Sequence, residues 1–209
     1  MHPSFGEHNF HQLCKQLAGK DADLQEILDQ YGYPPLWGRK AVFETLIHII
    51  LEQQVSLASA KAALNKLKEK IGTVTPAKLL LLTDAELKAC YFSRQKTGYA
   101  RCLARAVQEK QLSIGQLEHH TDEEVRKQLV SIKGIGNWTA DVFLMMVLHR
   151  TDLFPWGDIA LMNSMRHVKK LPSADTATLL QLADNWRPYR SVAAFILWHA
   201  YIQRKGIVF

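Results

Sequence analysis

The residues best suited to chemistry lie between Ile132 and Asp158, where the chain reads I-K-G-I-G-N-W-T-A-D-V-F-L-M-M-V-L-H-R-T-D-L-F-P-W-G-D. Gly134 and Gly136 flank one apolar residue, Ile135, with Lys133 beside them. Without a Cβ, a glycine can take a positive φ and lets the backbone approach a ligand closely. The N–H groups at a helix start and the helix dipole both favour an anion, and Lys133 adds a positive charge at the same place. A nucleic-acid phosphate fits such a site, although the same glycines also describe an ordinary turn between two helices. Asp158 follows the Pro/Gly-broken aromatic loop Phe154-Pro155-Trp156-Gly157 and precedes the apolar run Ile159, Leu161, Met162, Met165. It is either the N-cap of that run or a carboxylate free to stabilise positive charge or direct a water.

These residues need helices to hold them. Thr121-x-x-Glu124 is a capping-box pattern that opens a helix over 122–130, and Asn137 is an expected N-cap for a very apolar helix through Leu148. The motif spanning 122–148 is therefore helix, tight glycine hairpin, helix. Before it, residues 1–31 carry apolar positions at helical spacing (Phe10, Leu13, Leu17, then Leu24, Ile27, Leu28), ended by Gly32-Tyr33-Pro34-Pro35. Residues 42–51 form an apolar core helix that ends at Glu52-Gln53-Gln54-Val55-Ser56. A further helix runs to Gly72 with Ala58, Ala62 and Leu67 expected inward and four lysines outward. Thr75-Pro76 and the capping box Thr83-x-x-Glu86 open short helices, and a basic helix covers 93–110. Helices over 159–168, 176–186 and 188–202 follow. No clean alternation lasts more than a few residues, so the fold class is all-α.

The 209 residues fit one domain or two small lobes, with enough length for a real core. At 47% hydrophobic and 22% charged, the composition is that of a soluble globular protein. A net charge of +6 and a pI near 9.2 favour a polyanionic partner. Three scattered cysteines, Cys14, Cys90 and Cys102, form no CxxC and read as free thiols in a reducing compartment. No apolar run is long enough for a membrane span, and Met1-His2-Pro3-Ser4 carries no secretion-signal pattern.

A helix–G-I-G–helix followed by an Asp-bearing loop resembles the helix-hairpin-helix DNA glycosylase superfamily, and within it the 3-methyladenine DNA glycosylase II type. The resemblance runs from about Val42 to Tyr201. It is densest at Gln53-Gln54-Val55-Ser56, at Gly136-Asn137-Trp138-Thr139-Ala140 with Asp158, and at Trp186-Arg187-Pro188-Tyr189-Arg190-Ser191 with Ala193-Ala194 and Trp198. It implies an all-helical, two-lobed body with its active site in the cleft between lobes. Residues 1–209 would form one glycosylase unit, with a hairpin lobe over 42–148 and a second lobe built from 1–41 and 149–209. The family's defining bacterial member has an additional N-terminal β domain, which the stretch before Val42 is too short to hold. The minimal helical form is therefore expected.

The implied chemistry is coherent. A base stacked in duplex DNA has to be flipped out before its glycosidic bond can be reached. The Gln53-Gln54 bend resembles the family's wedge loop, with either glutamine able to fill the gap. Cleaving the bond builds positive charge on the sugar, which a carboxylate stabilises. Asp158 matches the family's catalytic Asp; Asp141, inside the second hairpin helix, is a weaker rival, and Asp152 misses the position. An N3- or N7-alkylated purine is cationic, leaves readily and stacks on electron-rich rings. The pocket candidates are Trp138, Trp198, Tyr189 and Trp156, each equally well a core residue. Val142 and Ile159 stand where the β-domain relative has tyrosines, so the pocket is expected to be less aromatic. DNA contacts fall to Gln53, Gln54, Ser56, Lys133, Gly134, Ile135, Gly136 and Thr139. In the family, hairpin carbonyls also hold a monovalent Na+ or K+, here those of Val130, Ile132 and Ile135.

Two absences sharpen the expectation. Bifunctional relatives carry a Schiff-base lysine two residues after the second hairpin glycine, where this chain has Trp138. The relatives' iron–sulfur cluster needs four C-terminal cysteines, and there is none beyond Cys102. The expected protein is thus a monomeric, monofunctional glycosylase acting on damaged double-stranded DNA, with no other cofactor and no membrane. It would work in the bacterial cytoplasm and nucleoid, or in a eukaryotic nucleus. The competing readings are a non-catalytic DNA-binding module and a glycosylase for hypoxanthine, uracil or an oxidised purine.

Overall fold

A computed structural model describes residues 3–207. In chain order the α-helices are α1 (Phe10–Ala18), α2 (Ala22–Tyr31), α3 (Phe43–Glu52), α4 (Leu57–Ile71), α5 (Pro76–Leu81), α6 (Asp84–Ala89), α7 (Arg94–Gln108), α8 (Asp122–Val130), α9 (Asn137–Met146), α10 (Ile159–Val168), α11 (Thr176–Asp184) and α12 (Arg190–Lys205). A 3-10 turn, Ile114–His119, precedes α8. Among the described residues the extended structure is one antiparallel bridge, Ser4 to Arg150. The chain divides into two compact units. One is Met1–Gly38 with Leu144–Phe209, the other Arg39–Phe143, and the boundary falls inside α9.

Local chemistry explains where the helices start. Both capping boxes form: Thr83 and Thr121 accept the N–H of Glu86 and Glu124, whose side chains return to the capping N–H. Asp21, Ser56, Thr75, Ser93, Asp158 and Asp175 cap α2, α4, α5, α7, α10 and α11 through their side chains. The expected helix over 1–31 is two helices, because the chain turns at Gly19–Asp21 so that Asp21 can cap α2; residues 1 and 2 lie outside the described ones. On α4 the inward residues are Ala60, Ala63, Leu64 and Leu67, a clean i, i+3, i+4, i+7 stripe. Ala58 and Ala62 face out, contrary to the sequence expectation, since alanine marks no face by itself.

In Arg39–Phe143 the centre is α3, whose Phe43, Leu46, Ile47, Ile49, Ile50 and Leu51 are all buried, with α4 and α7 packed against it. In the other unit α12 is buried continuously from Ser191 to Ala200 and is covered by α1, α2 and α10. Phe5, Phe10 and Phe195 meet there with ring centroids 5.4 Å apart in each pair. Asp21 accepts Lys169 Nζ at 2.6 Å and Trp186 Nε1 at 2.7 Å. Burial raises its pKa, but these donors and the Leu24 N–H outweigh that and hold it below the usual carboxylate range.

Candidate active site

The hairpin is built from the α8–α9 turn. Gly134 has φ +98, and a Cβ there would overlap Tyr99 of α7, so the fold itself demands glycine at this position. At Gly136 an added Cβ would point into open space, so the packing of the chain does not demand it. The N–H of Ala140 bonds the Gly136 carbonyl at 3.1 Å, which makes Gly136, and not Asn137, the cap of α9. The N–H of Ile135 is engaged by the Ile132 carbonyl at 3.0 Å and the residue is buried. The expected phosphate contact at Ile135 is therefore corrected: its donor closes the turn. Asn137 and Thr139 lie in the first turn of α9, where helix geometry provides the N–H groups with no intrahelical acceptor. Exposed Lys133 and half-buried Trp138 lie beside them.

Arg126 of α8 pairs with Asp141 of α9 and ties the two legs together. Asp141 is 5% exposed, so its charge serves the hairpin. Thr139 is 1% exposed, and its Oγ1 accepts Gln53 Nε2 at 3.0 Å. Any direct DNA contact of Thr139 therefore falls to its backbone N–H, because its hydroxyl already accepts from Gln53. The Val130 and Ile132 carbonyls stand at the end of α8, and the Ile132 oxygen keeps a lone pair after accepting Ile135. Hard oxygen donors of this kind suit Na+ or K+, so the residues fit the implied cation. Among the described residues no cluster of His, Cys, Asp and Glu could hold a metal.

The two glutamines separate. Gln53 is half-buried and donates to the Gly134 carbonyl at 2.9 Å as well as to Thr139. Gln54 is exposed with φ +57, a left-handed conformation that is strained for a residue with a side chain. Ser56, exposed, caps α4 by accepting the Ser59 N–H at 3.2 Å.

In the other unit Asp158 caps α10, its Oδ1 accepting the Leu161 N–H at 2.8 Å. The same oxygen accepts Trp198 Nε1 at 3.3 Å. Trp198, on α12, is 8% exposed and packs on Phe195, so it supports Asp158 more than it offers a stacking face. Helix α12 also grips the segment leading to Asp158. Arg190 donates to Asp152 Oδ1 at 2.8 Å and to its carbonyl at 3.0 Å, which makes Asp152 an anchor. Ser191 donates its N–H to the Thr151 carbonyl, and its Oγ accepts the Leu153 N–H, both at 2.9 Å. Two large apolar residues beside Asp158 in sequence are exposed, Trp156 at 53% and Ile159 at 76%. Tyr189 is half-buried at the start of α12, and Val142 is buried. A thiolate nucleophile is not on offer at Cys14, where burial pushes the pKa up to about 12.

Residues 47–188 match the model of the HhH-GPD superfamily base excision DNA repair protein. The chain belongs to this superfamily. The match takes in the Gln53–Gln54 bend, the hairpin and Asp158 and stops before Trp198. Among relatives, YfjP of Bacillus subtilis is 30% identical over 85% of this chain, which spans 65% of that protein. DNA-3-methyladenine glycosylase 1 of Schizosaccharomyces pombe is 28% identical over 87% of this chain and 83% of its own length. The structure of the S. pombe 3-methyladenine DNA glycosylase Mag1 with abasic DNA superposes with a TM-score of 0.78 and 27% identity, covering 90% of this chain and 95% of that one. Superfamily membership accounts for the all-helical architecture and the hairpin. The supports at Tyr99 and Arg126 carry no signal in the sequence, because each meets a residue remote along the chain; Arg190 and Ser191 lie in a stretch that the resemblance picks out, but their partners, Asp152, Thr151 and Leu153, are visible only in the fold.

Proposed function

We propose that this protein is a monofunctional DNA-3-methyladenine glycosylase that flips out and excises alkylated purines during base excision repair. The observation that carries the reading is Asp158, a carboxylate fixed by Leu161 N–H and Trp198 Nε1 and flanked in sequence by the exposed Trp156 and Ile159, in a chain of this superfamily. In the reaction the C1′–N bond breaks and its electron pair leaves with the base. Positive charge collects on the sugar, and the Asp158 carboxylate stabilises it or directs the water that adds to C1′. A cationic alkylpurine needs little acid catalysis, in keeping with a single carboxylate. Trp156 and Tyr189, in the unit that holds Asp158, supply stacking faces, and Trp198 holds Asp158 through its indole N–H.

The α9 N-terminus, with Gly136, Asn137, Trp138 and Lys133, grips a backbone phosphate. The Val130, Ile132 and Ile135 carbonyls would hold a monovalent cation, which would supply positive charge near that phosphate. Gln54 plugs the gap left by the flipped nucleotide. Because the space above Gly136 is open in the protein itself, Gly136→Ala is expected to lower the melting temperature only by the few degrees that a poorer N-cap costs, and to weaken binding to all DNA sequences alike. Binding titrations at several salt concentrations check this. Affinity should fall with a log–log slope of about −0.9 per phosphate neutralised.

The function is tested with a methylated, end-labelled duplex. The protein should leave abasic sites that become strand breaks only after hot alkali, since no lysine stands at Trp138. Breaks without alkali would overturn the monofunctional assignment, and no alkali-labile sites at all would overturn the glycosylase.

A further inference from the structure

The Gln53 side chain joins two segments of the Arg39–Phe143 unit that lie far apart in sequence: its Nε2 bonds the Gly134 carbonyl at 2.9 Å and Thr139 Oγ1 at 3.0 Å. Both partners belong to the hairpin, one in its turn and one in the first turn of α9. The neighbouring residue, Gln54, carries the strained backbone and the exposed side chain. Helix α3, which leads into the bend, is itself anchored. Lys96 Nζ donates to the Leu51 carbonyl at 2.6 Å, and Arg39 forks onto buried Glu52 at 2.7 and 2.9 Å. Partial burial lowers the Lys96 pKa. At the other end of the latch, Gly134 is pinned against Tyr99.

We propose that Gln53 is a positioning residue that latches the Gln54 bend to the hairpin turn, so that gripping the phosphate and displacing the base occur as one event. The inference rests on the glycosylase reading for the meaning of both parts. Its physical basis is that Gln54 is useful as a plug only if its position is fixed relative to the backbone grip. A glutamine amide, bonding a carbonyl and a hydroxyl at once, fixes both distance and orientation. Gln53 so placed does not touch the DNA, which distinguishes it from Gln54. Each hydrogen bond contributes modestly, and losing two corresponds to about tenfold in an equilibrium or rate.

The test uses the whole protein and a fluorescent base analogue beside the lesion, which reports extrusion whether or not the base is excised. Two duplexes are compared, one with the lesion paired and one with it opposite an abasic gap, where unstacking costs little. Gln53→Ala is expected to lower extrusion about tenfold on the paired duplex and to stay within about twofold of wild type opposite the gap. Thr139→Val should give a smaller loss on the paired duplex, and the double variant should be no worse than Gln53→Ala alone, because the second change removes a partner already lost. Equal losses on both duplexes would show general damage and overturn the latch, as would wild-type extrusion in Gln53→Ala. Normal extrusion without base release by the wild type would overturn the glycosylase reading and leave the latch readable. No extrusion by the wild type would overturn both.

Discussion

Asp158→Asn is expected to slow base release by roughly 10²–10³, the usual loss on removing one preorganised electrostatic group, or about 2.7–4 kcal/mol of transition-state stabilisation. The fold should be nearly untouched. Asparagine caps helices about as well as aspartate, and its carbonyl oxygen can still accept the Leu161 N–H and the Trp198 indole N–H. What it lacks is the full negative charge that the proposed mechanism sets against the sugar. Losing that charge also removes repulsion from DNA phosphates, so duplex binding should hold or tighten. If Asp158 only capped α10, the substitution would change melting slightly and leave the rate alone. Melting temperature and duplex affinity, measured beside the rate, separate the two.

Gly134→Ala should act on the opposite side of the ledger, on stability. The added Cβ meets the Tyr99 side chain and the backbone sits at φ +98, so steric overlap and left-handed strain combine. A loss of about 2–5 kcal/mol is expected, or roughly 5–20 °C in melting temperature for a chain of this size. The Gly134 carbonyl would shift with it and release Gln53. Gly136→Ala, two residues on, should cost only the few degrees of a poorer N-cap. Thermal melts of the two variants side by side check the contrast. Equal melting temperatures would mean that the turn relaxes around Tyr99 at no cost.

The features legible in the sequence are the ones that local chemistry decides. Thr121 with Glu124 and Thr83 with Glu86 form capping boxes because both partners lie within one turn. The turn at Gly134–Gly136 was visible for the same reason, and Asp158 was visible as a cap. Long-range pairing was not. Thr139 looked like a surface polar residue beside a DNA-binding turn, yet Gln53, 86 positions away, has its hydroxyl. Ile135 looked like a donor to phosphate, but its N–H closes the turn on Ile132. Asp141 ranks below Asp158 from its place inside the helix alone, but its partner, Arg126, is visible only in the fold. The two glutamines are chemically identical in sequence and were separated only by burial and by the left-handed φ of Gln54.

The central claim is an Asp158-dependent excision of alkylated purines, and single-turnover release from methylated duplex DNA, with the freed bases identified by chromatography, tests it most directly. The wild type should release 3-methyladenine and 7-methylguanine. Asp158→Asn, folded and binding DNA, should release them roughly 10²–10³ more slowly. Near-normal release by Asp158→Asn, or no released base from the wild type, would contradict the account.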